Sequence, residues 1–247
     1  EVRNLMACSS GPNIVDDGLL LCLDFGNTKC YTTSAATTVN NLGTVSTTQT
    51  MFSMGSANYS SNNGGYLNFD GANDYIEVNN DLIGTGLVAS GDNGAYTLEV
   101  WVRVETSSGT TTSADHIIGN NSTYGIGFQV GVSGGNPRIN YGARGTSNFY
   151  SSTFSYNTWM HIVFSKISGT SLRGYLNGEF DTSHSTVTDL GAESGQSYAN
   201  MKIGKGGGRI NGAGFDGDMA KCAVYNIGLT DAQVKQNFNA LRGRFGI

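Results

Sequence analysis

Charge is scarce in this chain: Asp, Glu, Lys and Arg together make 13% of its 247 residues, about half of the ~25% usual in soluble domains. Coiled coils and helical repeats need long runs of Ala, Glu, Lys, Leu and Arg, so both are excluded. Fourteen Lys and Arg stand against nineteen Asp and Glu, for a net charge of −5, and the basic residues are spread thinly apart from Arg242 and Arg244. No basic face is available to neutralise phosphates, which excludes nucleic acid as the expected partner. The longest strongly apolar run, Leu19 to Leu23, falls far short of the ~20 residues that span a bilayer; no membrane partner is expected. The chain opens at Glu1 with no signal peptide before that run, and a removed leader and a mature form both stay open. Four cysteines (Cys8, Cys22, Cys30, Cys222) are too widely spaced for zinc, and the three histidines (His116, His161, His184) stand alone. Cys22 and Cys222 sit in strand-like runs as small core residues. Free thiols are the first reading, with a Cys22–Cys222 bridge as the alternative if the first and last strands are neighbours.

What is abundant points to β structure. Glycine supplies 36 residues, about twice the usual ~7%. Aromatics at 10% and hydrophobics at 38% leave ample apolar surface for a core and argue against disorder. In Tyr96–Val104, Leu98, Val100, Val102 and Val104 fall on one face, with Thr97, Glu99, Trp101 and Arg103 on the other. Further strand-like runs are Gly18–Asp24, His116–Ile118, Gly125–Val132, Arg138–Tyr141, Trp159–Ile167, Ser171–Leu176, Asn200–Ile203 and Phe215–Tyr225. Their spacing of about ten residues, punctuated by Gly, Asn and Ser, indicates a sandwich or barrel. Tyr66–Phe69 and Tyr75–Val78 flank Asp70-Gly71 as a candidate hairpin, and Asn177-Gly178 predicts a type I′ hairpin turn. The polar stretch Tyr31–Gly65 reads as surface loops with one or two short edge strands. One helix is predicted: Thr230 caps it, Gln233 completes the capping box, Val234, Phe238 and Leu241 form its apolar stripe, and Gly243 is the candidate C-cap. It is expected to pack across an end or edge.

Four segments in order resemble the laminin-G-like branch of the concanavalin A-like lectin/glucanase superfamily: Leu67–Ile76, Tyr96–Val102, Trp159–Ser165 with Leu172–Gly178, and Phe215–Tyr225. The resemblance implies an all-β fold, a jelly-roll β-sandwich of two curved antiparallel sheets with one short C-terminal helix. Residues 1–13 would form an N-terminal arm and residues 14–247 the sandwich. Gly11–Tyr31 and Gln236–Ile247 are similar to the opening and ending of such domains in structural proteins of tailed phages, which implies that the domain is nearly the whole mature protein. Cys22 and Cys30 depart from that pattern, and so does the lack of a Trp between Tyr31 and Gly65. What this implies is a non-catalytic virion structural protein, for capsid decoration or as a tail or fibre module, giving reinforcement or adhesion. Its partners would be other virion proteins and host surface glycans, its state a multi-copy homo-oligomer, and its location the particle surface. The arm would anchor it. A carbohydrate-binding lectin is the alternative, and a glycoside hydrolase the third reading.

The hydrolase reading fails on residues. Retaining glycosidases need two carboxyls about 5–5.5 Å apart, and the glucanases of this fold carry E-x-D-x-x-E on one strand. Here Glu99 is followed by Trp101 and Arg103, and Glu105 is six residues on, too far at ~3.3 Å per residue. Glu99 is expected instead to be a half-buried sheet carboxylate, hydrogen-bonded or paired with Arg103. Asp70, Asn73 and Asp74, with Asp216 and Asp218, offer hard oxygen ligands that suit Ca²⁺, the one cofactor the resemblance suggests; tight-turn hydrogen bonding is the competing explanation. Gly204–Gly214 lacks the Lys-Ser/Thr and the helix of a phosphate loop and reads as a hairpin loop. Tyr124, Tyr141, Arg144 and Tyr150, with Phe149, lie near loops and are the candidate glycan contacts.

Overall fold

The computed structural model describes residues 13–32, 37–44, 48–55, 58–78, 95–105, 115–119, 127–133, 136–142, 149–167, 171–185, 201–205 and 214–247. The arm over residues 1–12, most of the glycine-rich loop, Tyr124 and Arg144 lie outside them. Period-two alternation and glycine-rich turns produce sixteen strands in two antiparallel sheets. The strands are β1 (Leu19–Asp24), β2 (Thr38–Asn40), β3 (Thr48–Phe52), β4 (Tyr59–Ser60), β5 (Tyr66–Asp70), β6 (Tyr75–Glu77), β7 (Tyr96–Val104) and β8 (Asp115–Gly119). They continue as β9 (Gly127–Ser133), β10 (Asn136–Gly142), β11 (Phe149–Thr153), β12 (Trp159–Ile167), β13 (Ser171–Leu176), β14 (Glu179–His184), β15 (Lys202–Ile203) and β16 (Asp216–Tyr225), followed by helix α1 (Asp231–Phe245). One sheet runs β14-β13-β12-β7-β16-β5-β4, with β1 beside the second half of β16; the other runs β11-β10-β9-β8-β15-β6-β3-β2.

The inner faces meet in one core. Leu98, Val100, Val102 and Val104 all point into it as the alternation predicts, with Phe69, Ile162 and Phe164 from the same sheet and Ile118, Phe128, Ile139 and Tyr141 from the other. The outer face of the β7 sheet is buried as well. Trp101, Val163, Tyr175 and Tyr225 form a second apolar layer under Val234, Phe238, Leu241 and Phe245 of α1. The helix therefore lies across a sheet face, not at an end or edge. Thr97 and Ser165, also on that face, hold the approach to it: Thr97 Oγ1 accepts from the Leu229 amide at 2.9 Å, and Ser165 Oγ donates to the Leu229 carbonyl at 3.0 Å. The Thr230–Gln233 capping box forms as expected, but the helix runs through Gly243 and ends on Gly246, whose φ of 73° is the left-handed C-cap. Gly243 is no cap because Phe245 still has apolar surface to bury beyond it.

Two further expectations change. Asp70-Gly71 does not close a hairpin: β5 pairs with β16 in one sheet and β6 with β3 and β15 in the other, so this turn carries the chain across the sandwich. The stretch from Tyr31 to Gly65 contains three short strands and contributes Val39 and Met51 to the core. Asn177 and Gly178 do form the expected turn, with φ of 51° and 76°. Cys22 is disulfide-bonded, whereas Cys30 and Cys222 are free and buried. The free-thiol reading thus fails for Cys22, and the Cys22–Cys222 bridge is excluded. Cys22 lies opposite Ala223 and Leu23 opposite Cys222, so the two cysteines point to opposite faces of their sheet.

Candidate functional site

Glu99 is fully buried on the helix-covered face, where no substrate reaches it. Lys221 Nζ donates to its Oε1 at 3.1 Å, Asn237 Nδ2 of α1 donates to its Oε2 at 2.6 Å, and His161 Nε2 lies 3.4 Å from Oε1. Asn237 also donates to the Tyr225 hydroxyl oxygen at 3.0 Å and accepts from the Val15 amide at 2.8 Å. Burial works to raise the Glu99 carboxyl, but the Lys221 charge, His161 and Asn237 outweigh it and hold it well below the usual carboxylate range. The cluster joins helix, sheet and the entering chain. The expected Glu99–Arg103 pair does not form, because residues four apart on a strand are separated by about 13 Å. Arg103 instead reaches its cross-strand neighbour Asp218, with Nε donating to Oδ2 at 2.7 Å.

The five candidate calcium ligands do not make one ligand set. Asp70 Oδ1 accepts from the Ala72 amide at 2.9 Å and the Asn73 amide at 3.2 Å, as an Asx turn does. The buried Asp74 accepts from Asn58 Nδ2 at 2.9 Å and the Asp70 amide at 3.2 Å, and burial together with the Asp70 charge pushes its carboxyl up. Asn73 donates to Ser53 Oγ at 3.0 Å. Asp218 is taken by Arg103 and by Asn68 Nδ2 at 3.0 Å. Asp216 lies opposite Asp70 at the strand end. These groups are engaged in turn and strand contacts and do not fit a cation. Among the described residues no three His, Cys, Asp or Glu converge on a metal-sized point.

Of the candidate glycan contacts, Tyr141 fails because its ring faces inward. It is fully buried, stacks on Phe149 at 5.2 Å and approaches Phe164 at 5.7 Å. Phe149 belongs to the same core. Tyr124 and Arg144 lie outside the described residues. Tyr150 is half-buried on the outer face of β11. The pairing register aligns His116 of β8 with Gln129 of β9, Gln129 with Asn140 of β10, and Asn140 with Tyr150 of β11. Residues directly opposite share a face, so these four polar side chains form a row spanning about 14 Å at ~4.8 Å per strand.

The row is unusual in what it leaves unbonded. Asn140 is 1% exposed and its Oδ1 has no hydrogen-bond partner among the described residues; His116 Nε2 and Arg138 Nε, next to the row, are likewise buried without one among them. Burial pushes the His116 imidazole down to about 4, so it is neutral at pH 7. Buried polar atoms lacking partners are costly, and here they lie side by side on the outer side of the β10 sheet. A second row on the same face runs from Thr50 through Glu77 and Lys202 to Gly119, Gly127 and Gly142, a floor without side chains at its glycine end. Alternation in Phe128-Gln129-Val130 and Ile139-Asn140-Tyr141 is enough to turn Gln129 and Asn140 outward. Their lateral alignment with His116 and Tyr150 is visible only in the register.

The fold is shared with several solved proteins. Domain 4 of AbnA, an extracellular arabinanase from Geobacillus stearothermophilus solved with arabinotriose, superposes with a TM-score of 0.59 at 16% identity, covering 90% of this chain and 99% of that one. The binding domain of Paraclostridial Mosquitocidal Protein 1 gives 0.63 at 15% identity, over 90% of this chain and 52% of that one. Trypanosoma rangeli sialidase gives 0.61 at 12% identity, over 92% of this chain and 34% of that one; the chain thus spans about a third of the sialidase and half of the toxin domain. No curated protein sequence matches. The family described as concanavalin A-like lectin/glucanases superfamily, of laminin-G type, matches residues 69–235, and the chain belongs to it.

Proposed function

We propose that this protein is a non-catalytic carbohydrate-binding module that uses the outer face of the β10 sheet for adhesion. The observation that carries this is the row His116–Gln129–Asn140–Tyr150 on the outer side of the β10 sheet, which combines half-exposed Gln129 and Tyr150 with buried polar atoms that have no partner among the described residues. Closely spaced hydroxyls of a sugar chain supply both donors and acceptors, which suits such a row. The bound arabinotriose in the similarly folded arabinanase domain supports the same ligand class. A non-catalytic role is favoured because Glu99 is sealed beneath α1 against Lys221. Binding to a glycan array, followed by calorimetry on Gln129→Ala and Tyr150→Ala, tests the proposal. Each variant should weaken binding about tenfold, the cost of roughly one lost hydrogen bond. Retention of no glycan, or unchanged affinity in both variants, would overturn it.

The virion setting rests on the resemblance of residues 11–31 and 236–247 to tailed-phage structural proteins. On a particle, a module of this kind would act as an adhesin toward host surface glycans. Peptide mass spectrometry of purified particles tests this, and absence of the chain from them would remove it.

A further inference from the structure

The outer face of the β10 sheet has a second end, remote from Tyr150, with different chemistry. The Phe52 and Tyr75 rings lie in register on β3 and β6 and stack at 4.5 Å with an interplanar angle of 7°. Phe52 is 37% exposed, one of only three exposed large hydrophobic side chains among the described residues. Two cations converge on the Tyr75 ring: Lys202 Nζ lies 4.8 Å and Lys205 Nζ 5.3 Å from its centroid. Lys205 has no salt bridge among the described residues, and Lys202 meets only Glu77, at 3.9 Å.

We propose that this end holds the acidic substituent of the bound glycan, a carboxylate or a sulfate ester, with the exposed Phe52 ring against the sugar ring and Lys202 and Lys205 as the cations; this rests on the carbohydrate-binding reading above. The apolar face of a sugar ring packs on an exposed aromatic face, and an aromatic surface left in water gains from being covered. Two ammonium groups gathered at one ring repel each other, and an anion between them removes that repulsion. Among the described residues Glu77 is the one carboxylate within ion-pair reach of Lys202, against two lysines at the Tyr75 ring. The site is continuous with the polar row: Lys202 lies opposite Gly119, Gly119 opposite Gly127, and Gly127 opposite Gly142. From Phe52 on β3 to Tyr150 on β11 the face crosses six strand spacings, about 29 Å at ~4.8 Å each, enough for an oligosaccharide.

The test titrates the full chain with oligosaccharides of matched length that are neutral, uronate-bearing or sulfated, and with inorganic sulfate alone, at low and raised salt. Acidic ligands should bind at least about tenfold tighter than neutral ones at low salt, with the preference shrinking as salt rises. Lys202→Gln with Lys205→Gln should abolish the preference while leaving neutral binding intact, and Phe52→Ala should weaken every oligosaccharide. Comparing the uronate and sulfate arms identifies the acidic group. Equal affinity for neutral and acidic ligands, a preference that survives the double lysine variant, or sulfate alone binding as tightly as the sulfated oligosaccharide would each overturn the inference. The carbohydrate-binding reading survives the first two of these results; it falls, and the inference with it, if no oligosaccharide of any class binds.

Discussion

The indole of Trp101 and the ring of Phe245 stack 4.5 Å apart at an interplanar angle of 18°. This contact, with Trp101–Phe238 at 5.7 Å and Trp159–Phe245 at 4.7 Å, presses α1 onto one sheet. At the same helix end Arg244 Nη1 donates to Asp24 Oδ1 at 2.9 Å.

Glu99→Gln should destabilise the fold by about 3–5 kcal/mol, because it leaves Lys221 buried without its counter-charge. The Glu99 carboxyl is held below its unfolded-state value. Its contribution is therefore complete above about pH 4.3 and is lost as pH falls below that. Urea unfolding at pH 7 and pH 3 checks this: the gap between wild type and variant should be wide at pH 7 and narrower at pH 3. An equal gap at both would show that the ion pair does not stabilise the fold.

His116 titrates in a separate window. Burial brings its folded-state value down to about 4, against ~6.5 when unfolded, so the unfolded chain takes up the proton first. Stability should decline as pH falls from about 6.5 to about 4, by up to roughly 3 kcal/mol. His116→Gln should flatten that part of the curve, and a variant that keeps the full slope would place its origin elsewhere.

Gly178→Ala should cost about 1–3 kcal/mol. At φ 76° a side chain is strained, and its Cβ would come within 2.6 Å of Phe238 Cβ on α1. Thermal melts should show a lower Tm with the helix side most affected; an unchanged Tm would mean that the β13–β14 turn does not bear on the helix.

Thiol labelling separates the cysteines. Burial pushes the Cys30 thiol up to about 12 and Cys222 higher still. A maleimide should leave both unlabelled in the folded protein and label both after unfolding, whereas Cys22 should label only after reduction. Rapid labelling of native Cys222 would contradict its place between the sheets.

Much of the architecture was legible from short-range pattern. Alternation in Tyr96–Val104 identified its inward face, and the Thr230–Gln233 box marked the start of the helix. The relationships that matter for the site were not legible. Glu99 and Arg103 looked like partners by proximity in sequence, yet a strand carries them about 13 Å apart, and each found its opposite charge on β16. Tyr141 looked like a loop aromatic, yet the pleat turned it inward and turned Asn140 out.

Composition, alternation and turn chemistry by themselves determined that this chain is an all-β sandwich or barrel with one capped C-terminal helix, because those signals act within a few residues. Which strands are neighbours, in which register, and which sheet the helix covers were decided only in the tertiary structure. Such pairings join residues up to about two hundred apart in sequence, as Glu99 and Lys221 or Asp24 and Arg244 show. Their choice depends on burying two apolar layers at once, and it alone brought His116, Gln129, Asn140 and Tyr150 into one row.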